Sequence, residues 1–89
     1  GPRVEKLELP AATETLIISG GRKDKLRPGD ILGAVTGEAG GMSANDVGKI
    51  EIHDHFSYVA VTRRMAQLAV QRLKEGKIKG RRFKVGVAE

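Results

Sequence analysis

The chain contains no cysteine and no tryptophan. Without thiols it can form no disulfide scaffold, no cysteine-ligated zinc finger and no thiol nucleophile. The absence fits a cytoplasmic protein. Aromatic residues are scarce: Phe56, Tyr58 and Phe83 are the full set. No uninterrupted apolar run exceeds four residues, the longest being Tyr58 to Val61. Such runs are too short to cross a membrane or to form the core of a secretory signal. Catalytic signatures are missing too. No Gly-Lys-Ser/Thr closes a phosphate-binding loop, and no spacing marks a Ser-His-Asp or paired-carboxylate site. The expectation is a non-enzymatic chain with no catalytic residue, no bound metal and no cofactor of its own.

What is present is one small domain's worth of sequence: 89 residues, 12 of them glycine, with a net charge of +5. The charge is unevenly spread. Residues 1–20 carry −1, residues 21–29 carry +3, residues 30–62 carry −4 and residues 63–89 carry +7. Two separate basic blocks flank an acidic middle. Clustered positive charge favours a polyanion, nucleic acid before anionic membrane. The competing reading is a solvated, lysine-rich surface.

Gly1-Pro2 has the form of a protease-cleavage scar, and residues 1–13, ending in Leu9-Pro10-Ala11-Ala12-Thr13, read as a linker. The domain is then residues 14–89. A first strand is predicted over Thr15–Ser19, broken by Gly20-Gly21. Pro28 suits the first position of a helix whose apolar face is Leu26, Ile31, Leu32 and Val35 and which ends near Gly37, with Gly40-Gly41 as breakers. Ser43 to Asp46 form a turn. A second strand runs Val47–His53 and a third Phe56–Val61. Thr62 then caps a helix over Arg63–Glu75, in which Met65, Ala69 and Leu73 recur at four-residue spacing and Gly76 is the stop. A last strand covers Arg82–Val87, with Phe83, Val85 and Val87 inward.

The order β-α-β-β-α-β predicts an α+β, ferredoxin-like sandwich, a four-stranded antiparallel sheet with two helices on one face. The open face should present Ile17, Phe56, Tyr58, Lys49, His53, Arg82 and Lys84. Exposed aromatics ringed by cations are the recognition surface of an RNA-recognition motif, whose third strand follows K/R-G-F/Y-G/A-F-V-x-F/Y. Residues 54–61 match it at Phe56, Tyr58 and Val59 and keep a small residue at Ser57. They depart from it at Asp54, His55 and Val61, and Ile17 stands where the first strand usually stacks a base. One stacking platform is missing, so single-strand capture on the sheet should be weak.

The basic loops are Gly20–Arg27 and Lys74–Arg82. They are expected to leave opposite ends of the sheet and to grip two separated stretches of phosphate backbone, with glycines allowing close approach. His53-Asp54-His55 offers too few ligands for a metal and fits contacts with bases near Phe56. Gly37-Glu38-Ala39-Gly40 has the GXXG pattern of a KH domain, but a turn and a strand follow it where that fold needs a helix.

Several segments together resemble one family. They are Ile17-Ile18-Ser19-Gly20-Gly21-Arg22-Lys23, Lys25-Leu26-Arg27-Pro28-Gly29-Asp30-Ile31-Leu32-Gly33-Ala34, Val47-Gly48-Lys49-Ile50-Glu51-Ile52-His53, Ser57-Tyr58-Val59-Ala60-Val61 and Lys77-Ile78-Lys79-Gly80-Arg81. The chain is similar over residues 14–88 to the C-terminal RNA-binding domain of bacterial DEAD-box RNA helicases of the DbpA/YxiN type. The resemblance implies a divergent RNA-recognition motif, joined in cis to an ATP-dependent helicase core. It implies docking on the hairpin that forms the A-loop of the peptidyl-transferase centre in large-subunit ribosomal RNA, in ribosome assembly. ATP and magnesium would belong to that core, since no Asp-Glu-Ala-Asp occurs here. Positions that match the family pattern with suitable chemistry are Arg22, Lys23, Lys25, Arg27, Lys49, His53, Tyr58, Lys79 and Arg81; Phe56, Arg82 and Lys84 join them as candidates from the open face and the last strand. The expected state is a monomer without a membrane partner. The alternative is a ferredoxin-like protein-interaction or regulatory domain of a larger enzyme, with loops that merely solubilise it.

Overall fold

The computed structural model describes residues 12–37 and 42–88. The linker through Ala11, Gly40-Gly41 and most of the GXXG segment lie outside them. Within them, β1 (Thr13–Ile18), α1 (Pro28–Thr36), β2 (Val47–Ile52), β3 (Ser57–Thr62), α2 (Ala66–Glu75) and β4 (Val85–Val87) follow in the expected order. The sheet is antiparallel, with spatial order β2-β3-β1-β4. The fold is therefore the ferredoxin-like α+β arrangement that the pattern predicts.

β-branched residues and strict alternation make β1 a strand, and they turn Leu16 and Ile18 inward. Val59 and Val61 of β3 continue that face, and Val85 of β4 extends it. Ile31 and Val35 of α1 and Ala66, Ala69 and Leu73 of α2 cover it. Side chains of this size contribute roughly 1.5–3 kcal/mol each when fully buried. Three residues complete the core from loops: Leu26, expected on the face of the first helix but lying before Pro28, and Met42 and Ile78, which no strand or helix pattern singles out.

Short turns are closed by one repeated device, an aspartate that accepts a backbone N–H three residues earlier. Asp24 holds Gly21 at 3.0 Å, Asp30 holds Arg27 at 2.9 Å and Asp46 holds Ser43 at 3.3 Å. Pro28 occupies the first turn of α1 as expected. β1 begins two residues before the predicted strand and takes in Thr13 and Glu14.

Three expectations need correction. Thr62 precedes α2 but caps nothing with its side chain, because a 3-10 turn over Arg63–Met65 intervenes; its hydroxyl donates to the Asp46 carbonyl instead. The last strand keeps only Val85–Val87. Arg82 and Lys84 precede it, although Ser19 N–H still pairs with the Lys84 carbonyl at 2.9 Å. The chain is diverted there by a tight turn in which Ile78 and Arg81 bond each other and both Lys79 and Gly80 have positive φ. Val87 aligns with Leu16 on the inner face but stays 37% exposed at the sheet edge.

Candidate nucleic-acid interface

In the antiparallel β1–β4 pair, Ile18 faces Val85, so the chain leaving β1 and the chain entering β4 meet at one end of the sheet. The two basic loops therefore converge rather than diverge. Ile18 also faces Ser57, which brings the β2–β3 connection to the same end. Three segments, 19–27, 53–56 and 76–84, thus build one surface.

Glycines seal this junction against the protein itself. A Cβ on Gly21 would lie 2.1 Å from the His53 carbonyl oxygen, and one on Gly20 would lie 2.5 Å from the Phe83 ring. Arg22 N–H donates to the His53 carbonyl at 2.7 Å, and Lys23 N–H to that of Asp54 at 2.9 Å. Buried Ser57, the small residue of the third-strand pattern, donates to the Gly20 carbonyl at 2.7 Å. The Gly-Gly pair serves close packing here, Gly21 against the hairpin backbone and Gly20 against the Phe83 ring, whereas the sequence reading gave it to phosphate approach.

Arg22, Lys25, Arg27 and Lys79 line a cleft of about 330 Å³ around Leu26. Two of these cations stand on left-handed backbone, Lys25 at φ 65° and Lys79 at φ 54°. A non-glycine residue there costs on the order of 1–2 kcal/mol, and such strain clusters at ligand sites. Lys23 is exposed on the adjoining 3-10 turn. Arg22 reaches back to Asp54 and to the Ile52 carbonyl, which fixes the loop to the hairpin. Arg81 pairs with Asp24 at 3.1 Å and lies 5.0 Å from the centre of the Phe83 ring. The Gly21 N–H bond, and after it Arg81, hold the Asp24 carboxyl below its usual range. Arg82 and Lys84 are exposed along the approach to β4 and do not line the cleft.

A second group lies on the open face. His53 stacks on Phe56 with ring centres 4.6 Å apart, and Tyr58 meets both rings edge-on at 5.7 and 5.3 Å. Phe56 sits just before β3 rather than inside it, and both aromatics are half-buried. Lys49 belongs to this group through Glu51, which pairs with Lys49 at 3.1 Å and with His53 at 3.2 Å. Hydrogen bonds from Lys49, first, and from His53 hold the Glu51 carboxyl below its usual range. The candidate cations and rings thus fall into a loop cleft and a ring cluster, joined by the Arg22 bonds to the hairpin.

The residues that sequence reasoning missed are anionic or apolar: Asp24, Asp30, Asp54, Glu51 and Ile78. The Gly-x-x-Asp and Arg-x-x-Asp spacings and the alternation Lys49-Glu51-His53 carry the signal for Asp24, Asp30 and Glu51. Among the described residues no group of three or more His, Asp or Glu is placed to hold a metal, and no helix is long and apolar enough to cross a membrane.

The family model described as "DbpA RNA binding domain" matches residues 15–87. The chain is 48% identical over 77 residues to the ATP-dependent RNA helicase DbpA of Escherichia coli (strain K12), which covers 86% of this chain and 17% of that protein. It is 34% identical over 73 residues to the ATP-dependent RNA helicase DbpA of Bacillus subtilis (strain 168), covering 82% and 15%. It therefore spans about one sixth of the length of either relative. The chain belongs to the DbpA RNA binding domain family.

Proposed function

We propose that this domain docks an ATP-dependent RNA helicase core, joined to it in cis, on structured large-subunit ribosomal RNA. The ligand in this reading is the hairpin that forms the A-loop of the peptidyl-transferase centre, and the setting is ribosome assembly in the bacterial cytoplasm. The observation that carries the reading is the convergence of both basic loops on one cleft beside the ring cluster. Phosphates would sit against Lys23, Lys25, Arg27 and Lys79, each neutralised phosphate releasing counterions. An unpaired base would lie against His53, Phe56 or Tyr58, in the manner of an RNA-recognition motif with a reduced stacking face. ATP turnover and strand separation would belong to the core, so the domain alone would show neither.

The test is a binding titration of the domain against the A-loop hairpin, a scrambled hairpin and a duplex, at two salt concentrations. Preference for the first hairpin with a steep salt dependence is expected. Equal affinity for all three defeats the specific reading, and no binding defeats the RNA reading.

A further inference from the structure

Three aspartates beside the cleft are each already paired with one of its cations. Asp54 holds Arg22, Asp24 holds Arg81 at 3.1 Å and Asp30 holds Lys79 at 3.8 Å. Lys23, Lys25 and Arg27 have no carboxylate within 4.0 Å among the described residues. Among the described residues, the cations at the cleft are therefore of two kinds: Arg22, Lys79 and Arg81 are neutralised, and Lys23, Lys25 and Arg27 are open.

Exposed pairs of this kind contribute little to stability, at most about 1 kcal/mol. Their effect on a polyanion is larger. A phosphate that displaces one of these carboxylates from its cation is left beside a negative charge it cannot leave. A phosphate track over Lys23, Lys25 and Arg27 meets no such repulsion. The carboxylates also accept hydrogen bonds, so an RNA that offers a base amino group or a 2′-hydroxyl at those points is rewarded there. A regular duplex presents phosphates at every step along both strands, so each aspartate it meets repels it.

We infer that Asp24, Asp30 and Asp54 are specificity-determining residues, which weaken binding to generic polyanions and favour a folded RNA with donor groups at matching positions. The inference rests on the RNA-binding reading of the same surface. Asp24 and Asp30 also close turns and Asp54 also anchors Arg22, but those structural roles predict no change in the preference between RNAs.

The test uses Asp54→Asn and Asp30→Asn, singly and together. Asp30→Asn keeps an oxygen able to accept the Arg27 N–H, so it carries the test alone if the Asp54 variant fails to fold by circular dichroism. Each protein is titrated with the ribosomal hairpin and with a random-sequence RNA duplex of equal length, at two salt concentrations. Each substitution should tighten duplex binding about threefold to tenfold at low salt and steepen its log-log salt slope by roughly 0.7–0.9. Hairpin affinity should rise by a smaller factor or fall, so the hairpin-to-duplex ratio drops. Folded variants that gain nothing on the duplex, or gain equally on both RNAs, overturn the inference while a wild-type preference for the hairpin stands. A wild-type chain that binds neither RNA overturns the RNA reading and this inference with it.

Discussion

Gly21→Ala isolates the junction on which the whole surface depends. The new methyl would stand 2.1 Å from the His53 carbonyl oxygen and 2.9 Å from the Asp54 carbonyl carbon and oxygen. All three are backbone atoms, so no flexible side chain can swing aside. The loop and the hairpin must separate, which removes the Arg22 N–H to His53 and Lys23 N–H to Asp54 bonds. Overpacking costs roughly 1–3 kcal/mol, and two lost backbone bonds add about 1 kcal/mol each. The expected destabilisation is about 3–5 kcal/mol, a large share of what a domain this small possesses. Urea unfolding followed by circular dichroism measures it, with the slope unchanged if only the native state is affected. Gly33→Ala is the matched control, since Gly33 lies exposed within α1 with nothing within 4 Å of its would-be Cβ. It should gain up to about 1 kcal/mol from helix propensity. A Gly21→Ala protein as stable as wild type refutes the claim that this glycine is required by backbone contact.

Other expectations follow from the same geometry. Lys25→Gly and Lys79→Gly should each raise stability by about 0.5–1 kcal/mol by relieving left-handed strain, yet weaken RNA binding several-fold; calorimetry and titration of the same variants read both. Lys25→Ala and Arg27→Ala should each lower the salt slope of hairpin binding by about 0.7–0.9, measured by fluorescence anisotropy. Tyr58→Ala should cost on the order of 1 kcal/mol of hairpin affinity if a base stacks there, and nothing if the rings are only structural. Asp24 titrates below its ordinary value of 3.8 in the folded protein, so its contribution is intact above pH 3.8 and is lost as pH falls through the lowered value. Asp24→Asn should flatten the acid limb of the stability curve, as read by thermal melts between pH 5 and pH 2.

Element order and the inner face were legible because alternation and four-residue spacing mark them directly. Leu16, Ile18, Val59, Leu73 and their neighbours bury as the periodicity requires. The family was legible because the Gly-Gly-basic and Lys-Ile-Lys-Gly segments are distinctive. What the sequence concealed was relative placement. Two basic loops around neighbouring antiparallel strands share an end whenever one leaves the first strand and the other enters its partner. Composition carries no trace of that. Gly20-Gly21 was ambiguous for a related reason, because close approach by phosphate and close approach by backbone demand the same residue. The short β4 was hidden as well. Arg82-Phe83-Lys84 alternates like a strand, but the Lys79-Gly80 turn holds that segment away from regular pairing. Charge counting also treats Arg22, Lys79 and Arg81 as equal to Lys25, although each of the three already has an aspartate.

The most direct measurement is a map of backbone amide shifts in the labelled domain as the A-loop hairpin is added. Perturbation concentrated in residues 20–27, 53–58 and 77–82, at one end of the sheet, is the predicted result. Perturbation confined to the outer faces of α1 and α2, with those three segments unmoved, would contradict the account.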